Sequence, residues 1–311
     1  MGLPRLSRSE GEECLVSPIG KAYAYAVSAV LLWSTAASAF KLTLRCLTPL
    51  ELQAGAVVVA VLFLAVRAAA AGQLRELLPA TPRDVARSAL LGFLNPFAYY
   101  LVLLAAYDRL PAQEALVLNY IWPIVLAVLA VPLLGHPLGR RSVAALVVSF
   151  GGVVVIGTRG DLATLRFSDP VGVALAAGSS LIWALYWILS VRDSRDDGTK
   201  LLQGFVFGLI YLLISVAATG TPRVVSLRGA IGAVYVGLFE MGVTFSLWLT
   251  ALRLVDRTAR ISNLVFLSPF ISLLLVHTVL GEPIALSTIG GFTLVVFGIA
   301  LQVAPPRRSS V

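Results

Sequence analysis

Residues 261–304 read ISNLVFLSPFISLLLVHTVLGEPIALSTIGGFTLVVFGIALQVA, and Glu282 is the only charged side chain among them. The triplet Gly281-Glu282-Pro283 divides this stretch into two apolar runs. Each run is about as long as the ~20 residues that an α-helix needs to cross the hydrocarbon core of a bilayer. Glycine and proline at the junction favour a tight turn. The stretch therefore predicts a helical hairpin that crosses a membrane twice.

The same pattern continues along the whole chain. Of its 311 residues, 58% are hydrophobic and 13% are charged, whereas roughly 25% are charged in a typical soluble domain. The charges lie in short clusters between long apolar runs, which excludes a disordered chain, a disulfide scaffold and a soluble enzyme. We therefore predict an all-α membrane protein with ten transmembrane helices. The predicted spans are 20–44, 50–66, 88–106, 110–132, 142–158, 170–191, 201–219, 229–252, 261–280 and 283–304.

The two halves of the chain resemble each other. Proline, glycine and tryptophan recur in the same order at an offset that drifts by only a few positions, as small loop insertions would cause. The matched pairs are Trp33 with Trp183, Gly92 with Gly237, Pro123 with Pro269, Gly135 with Gly281, Pro137 with Pro283, and Gly152 with Gly298. Five spans per copy is an odd number, so the second copy must be inverted relative to the first. Inverted repeats are typical of secondary transporters, whose sites lie near the bilayer midplane.

The distribution of Lys and Arg predicts the orientation. The N-terminal tail, the even-numbered loops and the C-terminus hold 17 of the 24 Lys and Arg residues, and the odd-numbered loops hold the other 7. Cytoplasmic loops carry the excess, so we place both termini in the cytoplasm and the chain in the cell inner (plasma) membrane. The first span, which we expect to be retained, then separates Cys14 from Cys46, and the two cannot pair. The predicted units are a tail (1–19), a first repeat (20–158), a periplasmic loop (159–169), a second repeat (170–304) and a second tail (305–311).

This plan resembles the EamA-type transporters of the drug/metabolite transporter superfamily. The second half carries the better match, in Ala251-Leu252, Pro269, Gly281-Glu282-Pro283, Gly290, Gly291 and Gly298. In the first half, His136 stands where the family's loop glutamate would be, so the resemblance gives that acid no symmetric role. Leu118-Asn119-Tyr120-Ile121-Trp122-Pro123 and the aromatic-rich interior are similar to YddG-type exporters of aromatic and other amino acids. The resemblance implies export of such compounds through a central cavity.

Polar side chains at mid-span depth are the first candidates for function. Glu240 is the only acidic or basic residue near the middle of a span, where a charge costs about 2.5–3.5 kcal/mol on insertion scales. Its partner in the repeat is Asn95, which is also mid-span. Two polar groups at pseudo-symmetric positions predict a shared cavity, whereas a helix–helix hydrogen bond is the structural alternative. Glu240 is a candidate either for proton coupling or for pairing with a substrate ammonium group.

Helical spacing adds aromatic residues that lie on the same sides of the helices as the polar candidates. Residues four apart share one side of an α-helix, and deep tryptophan and tyrosine need a partner for their polar tips or a wet cavity. Ordinary packing is the alternative for any single ring. Together with Glu240 and Asn95, the predicted substrate-binding residues are Trp33, Ser34, Tyr99, Asn119, Trp122, Trp183, Tyr186, Trp187, Thr244 and Trp248.

Two prolines complete the set of candidate site residues. Pro123 and Pro269 occupy matching places in the fourth and ninth spans, and proline in a helix frees a backbone carbonyl and kinks the chain. Paired kinks are expected where the repeats meet around a site. The doublets Gly151-Gly152 and Gly290-Gly291 in the fifth and tenth spans are interpreted as close helix contacts, within one subunit or across a dimer. The oligomeric state stays open.

Several chemistries lack the residues that they require. No G-x-x-x-x-G-K-[ST] loop is present for ATP hydrolysis, and no H-E-x-x-H for zinc. His136 and His277 lie near opposite membrane faces, and Gly178-Ser179-Ser180 has no histidine at its depth to act as a base. We therefore expect no enzyme activity, no metal and no cofactor. The net charge of +8 forms no basic stripe, so the bilayer is the expected partner and nucleic acid is not.

The residues and the resemblance together lead to one main hypothesis. The chain is predicted to be a secondary transporter that exports amino acids and similar small metabolites by alternating access. The residues alone indicate an amphipathic substrate that is not strongly anionic, because no Lys or Arg lies at midplane depth. The first alternative is a broad-specificity exporter of cationic drugs, with Glu240 and the aromatics as a cation site. The second, from another class, is a membrane-embedded enzyme or sensor.

Overall fold

A computed structural model of the chain describes residues 18–72, 81–134, 140–163, 169–219, 226–254 and 263–303. Within these ranges the secondary structure is helical and includes no β-strand. The α-helices, in chain order, are α1 (Pro18–Leu44), α2 (Pro49–Ala70), α3 (Pro82–Gly92), α4 (Tyr99–Arg109), α5 (Ala112–Asn119), α6 (Trp122–Leu134), α7 (Arg140–Gly157), α8 (Pro170–Val191), α9 (Asp197–Thr219), α10 (Leu227–Tyr235), α11 (Val243–Arg253), α12 (Ser268–Leu280) and α13 (Leu286–Val303).

The helical class and the membrane location that the sequence predicts are confirmed. Seven helical stretches in the described ranges are long and apolar enough to cross a membrane: Ile19–Leu44, Pro49–Ala70, Pro82–Arg109, Ala112–Leu133, Pro170–Val191, Asp197–Thr219 and Leu227–Arg253. Shorter apolar helices stand in the other three predicted spans: Val143–Gly157, Leu264–Leu280 and Leu286–Leu301. The chain is a multi-pass membrane protein. Its predicted tails, 1–19 and 305–311, lie almost wholly outside the described residues.

Polar residues at the loop–helix junctions define where several helices begin. Thr48 caps α2, and the Glu51 carboxylate accepts a hydrogen bond from the Thr48 backbone N–H, so both groups are paired in a capping box. Asp169 caps α8. The backbone N–H of Gly172 and the Arg109 guanidinium hold the pKa of Asp169 below its ordinary value. These caps satisfy backbone N–H groups that a helix start leaves unpaired.

Two long helices are interrupted by a π-helical turn. The segment Phe93–Ala98 joins α3 to α4, and Val236–Gly242 joins α10 to α11. Buried side chains bond backbone carbonyls at these turns: Gln53 on α2 donates to the Pro96 and Phe97 carbonyls, and Thr244 donates to the Phe239 carbonyl. Unpaired backbone groups are costly inside a bilayer, so these bonds make the interruptions tolerable.

The two prolines of the predicted kinks follow further interruptions. Helix α5 ends at Asn119 and α6 begins at Trp122, so Pro123 stands in the first turn of a new helix. In the second half, a 3₁₀ segment (Asn263–Leu267) precedes α12, whose first turn contains Pro269. Proline fits a first helical turn because the N–H that it lacks would be unpaired there.

Charged and polar side chains gather at two opposite ends of the helices. On what we name the Asp169 face, Lys41 donates to the Tyr107 and Leu110 carbonyls, and the ion pairs are Arg109–Asp169 and Arg159–Glu114. On what we name the Asp193 face, Arg195 binds Asp193, Ser88 and Gln203, and Arg253 pairs with Asp196. The apolar lengths of the helices therefore lie between two polar layers.

The Asp193 carboxylate is the buried centre of its face. Burial by itself raises the pKa of Asp193, but hydrogen bonds from the side chain and backbone N–H of Arg195 outweigh it. Together with the charges of Arg195 and Lys200 they hold the pKa below its ordinary value. The carboxylate is thus ionised at neutral pH. The Asp193 backbone carbonyl accepts a hydrogen bond from Lys200 Nζ at 2.9 Å, which ties the loop after α8 to the start of α9.

Glycine permits a close contact between the backbones of α7 and α13. A Cβ atom built on Gly152 would lie 2.6 Å from the Gly291 carbonyl oxygen, and one built on Gly291 would lie 2.7 Å from the Gly152 oxygen. The other glycine of each doublet, Gly151 and Gly290, has nothing within 4 Å of such an atom. Only one glycine of each doublet is therefore required for packing inside the chain.

We expect Gly152→Ala to destabilise the protein, because the new methyl group collides with backbone that has no flexible end to move. Overpacking of this kind costs about 1–3 kcal/mol, so the thermal denaturation midpoint in detergent should fall by a few degrees. The matched control is Gly151→Ala, one residue away and in open space. Equal midpoints for the two variants would contradict the assigned contact.

Candidate functional site

A cavity of about 700 Å³ lies between helices of the two halves. Ligand pockets in proteins are typically ~300–1,000 Å³, so the space is suited to a small organic molecule. The sequence contains five tryptophans, and every one of them lines this cavity: Trp33, Trp122, Trp183, Trp187 and Trp248. The wall is therefore unusually rich in large flat rings.

The cavity is closed at one end and reaches exposed residues at the other. Towards the Asp169 face its wall is formed by the buried side chains of Phe40, Tyr107 and Leu116. Towards the Asp193 face it extends to Val191 and Arg192 at the end of α8, and both are exposed. The structure thus presents the cavity to one side of the molecule.

Most of the residues predicted from the sequence share this wall. The predicted residues that line it are Trp33, Tyr99, Asn119, Trp122, Trp183, Trp187, Glu240 and Trp248, together with Pro123. They come from both halves of the chain and from seven different helical segments. The wall therefore unites residues that are up to 215 positions apart in sequence.

Four predicted binding residues, and Pro269, lie outside the wall. Ser34 donates to the Val30 carbonyl and contacts Ser268, whose hydroxyl group is 3.3 Å away. Thr244 donates to the Phe239 carbonyl of its own helix. Asn95 is buried in the first π-helical segment, and Tyr186 packs behind the wall against Trp183, with ring centroids 5.6 Å apart. These side chains support the wall from behind.

Glu240 lies in the second π-helical segment and is 9% exposed. The hydroxyl group of Tyr100 donates to its Oε1 at 3.1 Å. The other oxygen, Oε2, has no hydrogen-bond partner. Glu240 thus contributes to the cavity wall a carboxylate with one oxygen held by a hydrogen bond and one buried oxygen without a partner.

Side-chain hydrogen bonds connect Asn119 to residues of both halves of the chain. Its Oδ1 accepts from the Tyr99 hydroxyl group at 3.4 Å, and its Nδ2 donates to Ser179 on α8 at 2.8 Å. The Tyr99 ring stacks on Trp183, with centroids 4.5 Å apart. The orientation of these rings is therefore determined by hydrogen bonds and by stacking.

Several wall residues are absent from the sequence prediction. They are Phe40, Tyr100, Tyr107, Tyr120, Arg192 and Ser268, among others. Tyr100 was missed because an α-helical period puts neighbours 100° apart, so that Tyr99 and Tyr100 should not share a face. The available signal was the pair of mid-span polar residues Asn95 and Glu240, which mark the two π-helical turns.

The described residues offer little to a metal ion. No group of three His, Cys, Asp or Glu side chains within them is close enough to hold one. Of the unpaired buried side-chain atoms in the same ranges, two belong to cavity residues: Glu240 Oε2, an acceptor, and Trp187 Nε1, a donor. The cavity is thus equipped for hydrogen bonds and ring contacts with an organic ligand.

Comparison with known proteins identifies the family of this chain. The sequence model of the EamA-like transporter family matches residues 20–158 and, a second time, residues 170–304. YvbV of Bacillus subtilis (strain 168), named as an uncharacterized transporter, is 26% identical over 214 residues, which cover 67% of this chain and 68% of YvbV. PecM of Dickeya dadantii (strain 3937) is 26% identical over 194 residues, 61% of this chain and 64% of PecM.

Two further comparisons concern a substrate and a fold. The aromatic amino acid exporter YddG of Ancylobacter novellus is 26% identical over 154 residues, 49% of this chain and 53% of YddG. The matched stretch thus spans about half the length of that relative. A crystal structure at 24% identity aligns with a TM-score of 0.63 over 91% of this chain and 96% of the other. At that identity the likeness shows the fold alone.

Proposed function

Because this chain belongs to the EamA-like transporter family, whose members are transporters and not enzymes, we propose that it is a secondary transporter of amino acids and similar small metabolites, aromatic ones included. Export proceeds by alternating access through the central cavity. The observation that carries the proposal is the aromatic cavity of about 700 Å³, to which both matched segments contribute. A site between two repeats is the arrangement by which such transporters work.

The positions of the loops support ten crossings in two inverted repeats. Ends of α1, α4 and α7 and starts of α5 and α8 meet at the Asp169 face. Ends of α8 and α11 and starts of α3 and α9 meet at the Asp193 face. For successive loops to lie on opposite faces, the short helices α7, α12 and α13 must also cross the membrane. Five crossings in each matched segment make the second segment inverted.

The Lys and Arg count assigns a side to each face. The Asp193 face bears the even-numbered loops, which are the richer in Lys and Arg, and is therefore cytoplasmic. The Asp169 face is then periplasmic, the membrane is the cell inner membrane, and both termini are cytoplasmic. The cavity consequently faces the cytoplasm, which is the state that an exporter needs to take up its substrate.

A set of hydrogen bonds between the two segments closes the periplasmic end. Gln113 at the start of α5 donates from Nε2 to the Pro283 carbonyl at 2.7 Å and accepts at Oε1 from the Ala285 N–H at 3.2 Å. Beside it, the Ala112 N–H donates to Glu282 at 3.2 Å. Opening to the periplasm requires these bonds to break. We name this set the Gln113 latch.

The substrate class follows from the wall and from one relative. Aromatic rings bind flat apolar groups through contacts of about 0.5–1.5 kcal/mol beyond their buried area, which gives affinity without narrow selectivity. YddG, an aromatic amino acid exporter by name, is a relative. A second candidate function, export of cationic drugs, is favoured by the carboxylate of Glu240 in the same cavity.

The transport function is tested by counterflow in proteoliposomes with a panel of labelled amino acids and organic cations. We expect accumulation of aromatic amino acids in vesicles that contain the protein. Trp122→Ala should reduce that rate roughly tenfold, since Trp122 lines the cavity and is half buried. The matched control is Phe93→Ala, an aromatic residue that is 45% exposed and outside the cavity. Counterflow of no compound in the panel would overturn the proposal.

The orientation is tested with the native cysteines. Cys46, between α1 and α2, is a free and exposed thiol. In intact cells it should react with a membrane-impermeant maleimide when Cys14 is replaced by serine. The matched variant, Cys46→Ser with Cys14 retained, should be labelled only after the membrane is permeabilised. The reverse result would invert the assignment of the two faces.

The Gln113 latch is tested with Gln113→Leu, which keeps the volume and removes the hydrogen bonds. Losing them should raise the population open to the periplasm several-fold. The measurement is the rate at which Leu116→Cys, in the cavity wall, is labelled from outside in a chain lacking Cys14 and Cys46. Thr278→Val is the control, because that hydroxyl group bonds only within its own helix. An unchanged rate in Gln113→Leu would exclude the latch.

A further inference from the structure

We propose that Glu240 binds the ammonium group of the substrate, and that the transported compounds are organic amines, including amino acids with a free amino group. This inference rests on the proposed transport function and narrows it. It goes beyond the aromatic wall, because rings alone accept any flat apolar molecule. The sequence leaves two roles open for this carboxylate, proton coupling and pairing with a substrate ammonium group, and the inference assigns it the second.

The first observation is the arrangement of the two carboxylate oxygens. Oε1 accepts the hydrogen bond from Tyr100, which fixes the plane of the group. Oε2 is buried and unpaired, and it belongs to a residue of the cavity wall. A buried acceptor without a partner carries a free-energy cost. A ligand that donates a hydrogen bond to Oε2 recovers that cost, and a ligand without a donor does not.

The second observation is the lack of an internal cation. The carboxylates of Glu114 and Asp193, which are also buried, pair with Arg159 and Arg195. Within the part of the chain that the structure describes, Glu240 forms no such pair with Lys or Arg. A buried carboxylate is stabilised by an opposite charge. None of the described side chains supplies that charge to Glu240, whereas the ammonium group of a ligand in the cavity would supply it.

The third observation is the surface around the carboxylate. Tyr100 adjoins Tyr99, with centroids 4.8 Å apart, and Tyr99 stacks on Trp183. Trp33 and Trp248, which line the same cavity, are 5.4 Å apart. Aromatic faces attract cations, and they do so most strongly where water is excluded. The wall that binds the apolar part of a substrate therefore favours a positive charge as well.

The test compares four ligands that share a phenyl ring: phenethylamine, L-phenylalanine, N-acetyl-L-phenylalanine and 3-phenylpropionate. Binding to the full-length protein is measured by calorimetry in detergent, and counterflow is measured in proteoliposomes. We expect the two compounds with a free amine to bind roughly tenfold or more tightly than the other two, which is the range for a hydrogen bond to a charged group. This comparison needs no variant, so it does not depend on the folding of a mutant.

Variants then assign the preference to one residue. Glu240→Gln should remove most of the difference between phenethylamine and N-acetyl-L-phenylalanine and leave only the part that the aromatic rings contribute. Tyr100→Phe should reduce the difference by less. Asp108→Asn, which changes an exposed carboxylate outside the cavity, is the control and should retain the full difference. Thermal denaturation in detergent verifies that each variant is folded.

The outcomes separate this inference from the transport function. If all four compounds are bound and carried equally well, the transport function stands and the ammonium site is excluded. An amine preference that persists undiminished in folded Glu240→Gln also excludes it. If none of the four is bound or carried, both the transport proposal and the ammonium site fail.

Discussion

Inside a bilayer, a backbone N–H or C=O group has no water to bond with, so every break in a helix must be paired by the protein itself. This constraint governs the structure described here. Its two π-helical turns interrupt long helices, and the side chains of Gln53 and Thr244 donate hydrogen bonds to backbone carbonyl groups in them. Both side chains are fully buried. These hydrogen bonds make the helix interruptions tolerable inside the membrane, near the cavity.

The functional groups of the cavity follow from those interruptions. Glu240 lies within the second π-helical turn, and Tyr100, its hydrogen-bond partner, is the second residue after the first turn. The breaks before Pro123 and Pro269 are close to the same space, since Trp122 and Ser268 line it. Four irregular stretches from two halves therefore surround one cavity. Regular helices pack around them, and the polar groups lie at the helix ends on the two membrane faces.

Much of this could be predicted from the sequence, because it depends on composition and on local chemistry. Apolar runs between charge clusters identify the helices, and proline marks where a new helical turn begins. The tryptophans were predicted to share a cavity because they are too deep for a membrane interface. Extension by helical spacing selects Tyr99 and Trp248, which line the cavity, and Thr244, which does not. The offset between the repeats selects Asn95, which the structure puts outside the wall. A π-helical turn contains an extra residue, so the faces before and after it are no longer in register with a period of 3.6.

The tryptophans have a consequence for spectroscopy. Indole emission changes in wavelength and intensity with the polarity of its surroundings and with quenching groups nearby. Every indole in the chain lines the cavity, so no emission arises from an uninvolved part of the molecule. The intrinsic fluorescence of this protein is therefore an unlabelled optical readout of one space, in which the whole signal responds to an occupant or to a change in hydration.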